Sequence, residues 1–541
     1  MKKALGLIFF ICTSLLFASA KPPKLIVQIV IDQLRGDLIN LHHQKFGSDG
    51  FNYLLAHGID YHNAHHPQAN TVTCVGHANI ATGSYPALHG MVGNGWYDRT
   101  TGLATTCVKD PKSTILPTSR SQKILTGSSP HYLAASTLSD EIILAQKGRA
   151  FSVSFKARAA ITLAGHAGKA FWFDKRNGGF VTSNYYYSAY PQWVNDWNKH
   201  YDPKNLIWTL GHELRNYNFA KAPRFINRFP GFEENFPHQT GEANTKNYYK
   251  FLSMTPFADE LTADFAINLL ENEKLGKNTD KTDYLALSFS AVDAIGHQFG
   301  PNSLESEDNL RRLDKTLAKL LAAIDKQVGL ENTLIVLTAD HGVSDSPAYL
   351  TAHSIAQNQA GNFSQLRTVV VDALAKQYQL PANSLEAISA PFIYLNHQLL
   401  NEHRLTSKEV SSYLAEILTK QPGIYKVYGM PLADSKLDWL SLAVNKMAFP
   451  ERSGDLYIVP LPYEALNNKN KQRVAHGTPW NYDSYVPLLF VNPAFKSQRI
   501  FKSVSITEIA PTLAAILMVK SPSAARDQPL EEVLKQFETQ N

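Results

Sequence analysis

Asp32, Asp293, His297, Asp340, His341 and His476 are carboxylates and imidazoles that stand at or just past the end of strand-like apolar runs, or in glycine-punctuated loops. Such a mixed oxygen and nitrogen set suits zinc better than magnesium, which prefers oxygen donors and keeps its waters. The Asp293-x-x-x-His297 spacing puts two ligands on one face of a helical turn, and the adjacent pair Asp340-His341 can serve two ions from one strand end. Alone in its loop, His476 would read as a surface or packed residue. Asp340-His341-Gly342 after a fully apolar run is harder to set aside, because a buried carboxylate needs a partner or a metal. The chemistry implied is two-metal hydrolysis, in which paired ions stabilise the attacking and leaving oxygens.

Two further segments carry reactive or charged groups. Asn70-Thr71-Val72-Thr73-Cys74-Val75-Gly76-His77-Ala78 places a hydroxyl, Thr73, at the start of an expected helix. A threonine there caps the helix or, beside metal ligands, attacks a substrate whose anion the helix N-terminus favours. Lys156-Ala157-Arg158 follows the apolar run Phe151 to Phe155, and on a strand the two cations would face one side. Read alone, that pair is a solvated face, although a positioned Lys and Arg can also stabilise an anion.

The elements that must position these residues alternate. Strands are expected over Leu25 to Ile31, Phe151 to Phe155, Tyr284 to Val292, Leu334 to Thr338 and Val486 to Asn492, with helical patterns between them. That order predicts an α/β fold with a mostly parallel central sheet and helices on both faces, whose carboxyl edge gathers residues distant in sequence. The clearest helix spans about Glu305 to Val328, where leucines recur at three and four and Ser303 or Ser306 can cap. Two stretches break the alternation and read as inserted caps: about 168–280, rich in Trp, Tyr, Asn and Pro, and about 365–470, with its own strand and helix patterns. Residues 21–541 are otherwise expected to form a single catalytic domain.

Lys2-Lys3, the apolar run Ala4 to Phe17 and Ala18-Ser19-Ala20 match the three parts of a secretory signal peptide, with cleavage expected after Ala20. An exported protein, periplasmic or secreted, with no stable membrane association follows from that reading. Losing Lys2 and Lys3 takes the formal charge from +5 to +3, and no basic cluster marks a nucleic-acid partner. Of three cysteines, Cys12 leaves with the signal. Cys74 and Cys107 then remain as a pair in a compartment where disulfides persist; they form a bridge or stay as two buried thiols, and the bridge is the expectation.

In order along the chain, Ile31-Asp32, Thr73 to His77, Gly90-Met91-Val92-Gly93-Asn94, Asp293-Ala294-Ile295-Gly296-His297-Gln298-Phe299-Gly300-Pro301, Thr338-Ala339-Asp340-His341-Gly342 and Ala475-His476-Gly477 resemble the alkaline phosphatase superfamily. The resemblance lies with its branch of type I phosphodiesterases, nucleotide pyrophosphatases and PafA-type alkaline phosphatases. It implies that Asp293, His297 and His476 hold one zinc, that Asp32, Asp340 and His341 hold a second, and that Thr73 joins the second as the nucleophile that becomes phosphorylated. Asn94 would donate to a phosphoryl oxygen, and Lys156 and Arg158 would contact the phosphate of a small-molecule monoester. Cys74-Val75-Gly76 departs from the aromatic, proline and asparagine of many diesterase relatives, which favours the monoesterase side. The sulfatase signature, a Cys or Ser followed by x-Pro-x-Arg, is absent from Cys74 to Ala78. The alternatives are a phosphodiesterase or nucleotide pyrophosphatase and, in another class, a non-catalytic metal-dependent binding protein. His77 is expected beneath the nucleophile turn; His62, His65, His66 and His89 have no assigned role.

Overall fold

The computed structural model describes residues 22–538 apart from 119–124, 244, 246, 279, 356–362, 433–437, 465 and 467–473. The signal segment expected over residues 1–20 lies outside the described residues.

Leu25–Ile31 (β1) is an almost unbroken apolar run with every residue buried. Branched side chains on both faces suit a strand covered on both sides, and its backbone groups are satisfied by neighbouring strands. Eight strands join it: Gly58–Tyr61 (β2), Ala150–Ser154 (β3), Lys169–Phe173 (β4), Phe180–Val181 (β5), Asp283–Phe289 (β6), Thr333–Thr338 (β7), Leu488–Val491 (β8) and Gln498–Ile500 (β9). Their order across the sheet is β5-β4-β3-β6-β1-β7-β8-β2-β9. The strands β4, β3, β6, β1 and β7 are parallel. Antiparallel pairs flank this block: β5 with β4, and β8 with both β7 and β2.

The register explains how distant residues meet. Ser154, Ser288, Val30 and Thr338 are level across β3, β6, β1 and β7. The chain leaves the sheet just beyond this row, so Lys156, Asp32 and Asp340 emerge side by side at the carboxyl edge.

Five helices matter for the site: Thr73–Thr82 (α1), Ala157–Ala164 (α2), Phe257–Asn272 (α3), Ala291–Phe299 (α4) and Leu304–Gln327 (α5). α5 buries Leu310, Leu313, Leu317, Leu320, Leu321 and Ile324, and the Ser303 hydroxyl caps it by accepting from Ser306 N–H. The run expected as a strand to Val292 ends at Phe289 instead. There the Asp259 carboxylate of α3 accepts from the N–H groups of Ser290 and Ala291 at 2.7 and 3.0 Å and starts α4.

Within 168–280, β4 and β5 extend the sheet edge, and Phe171, Phe180 and Trp197 pack on Phe265 of α3. Within 365–470, Leu385–Ser389, Phe392–Leu395, Leu456–Pro460 and Ile424–Gly429 form a separate four-stranded sheet in that order. The helix Ser407–Thr419 covers it through a core of its own.

Candidate active site

Two groups of three side chains gather beyond the carboxyl edge: Asp32, Asp340 and His341, and Asp293, His297 and His476. Within each group the potential ligand atoms lie within 4.8 Å of one another. His341 and His476 stack at 3.6 Å between centroids, so the two groups adjoin.

Each histidine is oriented by the nitrogen that faces away from its group. Nδ1 of His297 lies 3.1 Å from Val474 O, that of His341 2.9 Å from Gly342 O, and that of His476 2.8 Å from Thr71 O. A ring whose Nδ1–H donates to a carbonyl presents a lone pair on Nε2, the arrangement usual for imidazole ligands. Asp32 Oδ1 and His341 Nε2 are buried and have no hydrogen-bond partner among the described residues. Buried polar atoms aimed at one another in this way fit a bound cation.

The charges point the same way. Burial, then the charge of Asp340, pushes the Asp32 carboxyl well above the usual range. Burial also opposes ionisation of Asp293, yet Lys156, His297 and His476 hold it well below that range. Asp340 is held low by His341 and His77 despite its own burial. Three carboxylates crowded so that one resists ionisation is the electrostatics of a site that needs added positive charge.

Thr73 is the first residue of α1, preceded by extended Val72. Its Oγ1 lies 3.4 Å from Nη2 of Arg158. Beneath it, His77 Nδ1 sits 2.8 Å from Thr73 O and 3.2 Å from Asp340 Oδ2, while Nε2 sits 2.9 Å from Ser288 Oγ. This ring thus packs under the turn. A β-carbon on Gly76 would fall 1.9 Å from Asp340 O, so only glycine lets α1 lie this close to the end of β7.

Asn94 Oδ1 accepts from Cys74 N–H at 2.9 Å; its NH2 has no partner among the described residues and can donate toward the pocket that Asn94 lines. The Cys74–Cys107 disulfide is formed, and Cys107 N–H donates to Asn94 O at 3.1 Å. Asn94 is therefore tied to α1 through side chain, backbone and crosslink.

Lys156 and Arg158 converge on the same place, though not as strand neighbours. β3 stops at Ser154, whose hydroxyl accepts from Lys156 N–H at 3.1 Å, so Lys156 precedes α2 and Arg158 lies in its first turn. The expected alternation along a strand is thus corrected to a strand-to-helix turn. Lys156 Nζ donates to Asp32 Oδ2 at 2.6 Å and to Asp293 Oδ2 at 2.5 Å, one carboxylate from each group.

Gln33 is a residue that the sequence reading did not single out. It holds φ at 72°, so the chain doubles back after Asp32. Its N–H donates to Asp340 Oδ1 at 3.1 Å and its Nε2 to Asp293 Oδ1 at 2.8 Å, so one residue braces both groups. Gly296 leaves it room, since a β-carbon there would lie 2.0 Å from Gln33 Oε1. Of the unassigned histidines, His66 and His89 are buried structural rings: His66 Nε2 lies 2.9 Å from Ala339 O, and His89 Nε2 lies 2.9 Å from Asn79 Oδ1.

A nucleophile candidate on a helix N-terminus, set against two oxygen and nitrogen triads at the carboxyl edge of an α/β sheet, defines a hydrolase of the metal-dependent kind. The chain belongs to the type I phosphodiesterase / nucleotide pyrophosphatase family, whose profile matches residues 26–480. It is 32% identical to alkaline phosphatase PafA of Elizabethkingia meningoseptica over 527 residues, 95% of this chain and 94% of that protein. It is also 32% identical to alkaline phosphatase PhoV of Synechococcus elongatus over 538 residues, 95% and 93% of the two chains. The crystal structure of wild-type PafA matches with a TM-score of 0.84 at 30% identity, covering 94% of this chain and 99% of that one.

Proposed function

We propose that this chain is an exported alkaline phosphatase that hydrolyses small-molecule phosphate monoesters through a phosphothreonine at Thr73. The observation that supports the mechanism is the placing of the two cations: Arg158 Nη2 lies 3.4 Å from Thr73 Oγ1, while Lys156 Nζ donates at 2.6 and 2.5 Å to Asp32 and Asp293, one carboxylate of each triad. Asp293, His297 and His476 would hold one zinc, and Asp32, Asp340, His341 and Thr73 a second. Bound zinc supplies Lewis acidity to the hydroxyl and to the oxygens that gain charge.

The chain's own groups account for the rest. Thr73 Oγ forms a bond to phosphorus as the ester oxygen leaves, and the alcohol departs with a proton. Water then cleaves the bond between Oγ and phosphorus, releasing phosphate and restoring Thr73. The α1 N-terminus favours the anion, and Asn94 donates to a phosphoryl oxygen. Lys156 and Arg158 stabilise the additional charge that a monoester carries over a diester.

The domain reading goes with this one: a single catalytic domain over 21–541 carries insertions at about 168–280 and 365–470, and export follows from the amino-terminal segment. Among the described residues no helix is long and apolar enough to cross a membrane.

An aryl phosphate and its methyl diester test the assignment. In Lys156→Ala or Arg158→Ala, monoester kcat/KM should fall by roughly a hundredfold or more, with a much smaller fall for the diester. Equal losses would remove the basis for a monoesterase and favour the phosphodiesterase alternative. Thr73→Ala should abolish turnover while still binding zinc; full activity in that variant would exclude Thr73 as nucleophile. Zinc-loaded wild type that cleaves neither ester would favour the binding-protein reading.

A further inference from the structure

Next to Asn94, Lys156 and Arg158 opens a cavity of about 430 Å³, a size that admits a small organic molecule. Phe155, Trp172 and Phe173 give it an apolar wall. At its rim lies the turn between β4 and β5, which carries two cations that the phosphate reading does not use, Lys175 and Arg176.

These two cations differ in their partners. Asp174 Oδ1 accepts from Arg176 N–H and Nε–H at 3.2 and 2.9 Å, and its Oδ2 accepts from Asn177 Nδ2 at 2.9 Å, which braces the turn and neutralises Arg176. Lys175 has no carboxylate partner among the described residues; its ammonium lies 5.3 Å from the centroid of the Phe155 ring. Lys175 is exposed as a residue, yet desolvation of its ammonium, then the charges of Lys156, Lys250 and Arg158, pulls that group below the usual lysine range. An unpaired cation held on a braced turn among other cations is destabilised until an anion arrives. On the proposed mechanism Lys156 and Arg158 serve the transferred phosphoryl group, which leaves Lys175 for an anion on another part of the substrate.

We infer that this pocket selects phosphate monoesters whose alcohol carries a second anionic group, a phosphate or a carboxylate, paired with Lys175. The inference rests on the monoesterase reading and adds the substrate class to it. The aromatic wall covers the carbon skeleton between the two anions, and the turn fixes how far apart they sit.

The test uses the zinc-loaded full-length enzyme at low salt with three matched alkyl esters: propyl phosphate, the phosphate ester of 3-hydroxypropanoate, and propane-1,3-diyl bisphosphate. Wild type should favour at least one of the anion-bearing esters over propyl phosphate by about fivefold in kcat/KM, the scale of one partly exposed charge pair. For the bisphosphate the ratio is corrected for its two equivalent esters, and which ester is preferred identifies the second anion. Lys175→Gln should erase the preference, Lys175→Arg should keep most of it, and added salt should weaken it in wild type. A wild-type enzyme that cleaves propyl phosphate without any preference overturns the inference and leaves the monoesterase reading standing. A Lys175→Gln variant that keeps the wild-type ratio overturns it equally. Failure to cleave any of the three would instead sink the monoesterase reading.

Discussion

Gln33 decides how tightly the two triads are coupled, because its backbone fixes Asp340 and its side chain fixes Asp293. A non-glycine residue in the left-handed region costs roughly 1–2 kcal/mol, and here that conformation aims the amide at the second triad. Gln33→Gly separates strain from bracing. The variant should be at least as stable as wild type without metal, yet a chelator competition should give roughly tenfold weaker metal binding, the usual effect of losing a group that orients a ligand. Unchanged affinity would reduce Gln33 to packing. The candidate ligands that gather in the two triads were legible as carboxylates and imidazoles at the ends of apolar runs. A glutamine one step past Asp32 has no such signature; its role exists only once φ turns positive. Lys156 and Arg158 lie between these cases. Their types were readable, but the turn that Ser154 makes after β3 is not written in residue alternation.

At the level of elements, α1 carries the proposed nucleophile and must lie against the end of β7. Gly76 makes that contact possible, because both the clashing oxygen and the helix are backbone and neither can rotate away. Gly76→Ala should therefore move Thr73 relative to Asp340, and a shift near 1 Å costs roughly a hundredfold in rate. Monoester kcat/KM measured beside far-ultraviolet circular dichroism checks this: lost activity with unaltered secondary structure is the expected pair of results, and full activity would mean that the helix has slack. The Cys74–Cys107 bridge spans 33 residues of chain and ties the Asn94 loop to the same helix. Replacing both cysteines by alanine should cost roughly 4 kcal/mol in urea unfolding on the chain-entropy reckoning, and should raise KM as Asn94 loosens. An unchanged midpoint would show that packing alone holds the loop. The bridge was legible from the cysteine count together with the expected export. Strand direction was not: Val486 to Asn492 and Leu334 to Thr338 are alike as apolar runs, yet β8 runs antiparallel to β7 because pairing direction is set by the connections between strands.

For the molecule as a whole, the α/β class was legible because its central strands are buried on both faces and read as continuous apolar runs. What local pattern could not reveal is where one element's side chain completes another, as Asp259 of α3 does at the start of α4. Asp259 is fully buried; its Oδ1 accepts two N–H groups, and its Oδ2 has no hydrogen-bond partner among the described residues. Burial raises its carboxyl to about 7 against the pull of those N–H groups and of Lys156. In the unfolded chain the same group ionises near 3.8. Between these values the native state holds a proton that the unfolded state has released, so this residue lowers stability as pH rises from about 4 to about 7 and lowers it no further above that. Asp259→Asn keeps an acceptor oxygen for Ser290 and Ala291 but cannot titrate. Urea unfolding of metal-loaded protein across that range should show the variant gaining on wild type with rising pH, by up to roughly 4 kcal/mol, and then running parallel to it at alkaline pH. Parallel profiles throughout would mean that Asp259 ionises in the fold as it does in the open chain, and that the start of α4 tolerates a full negative charge.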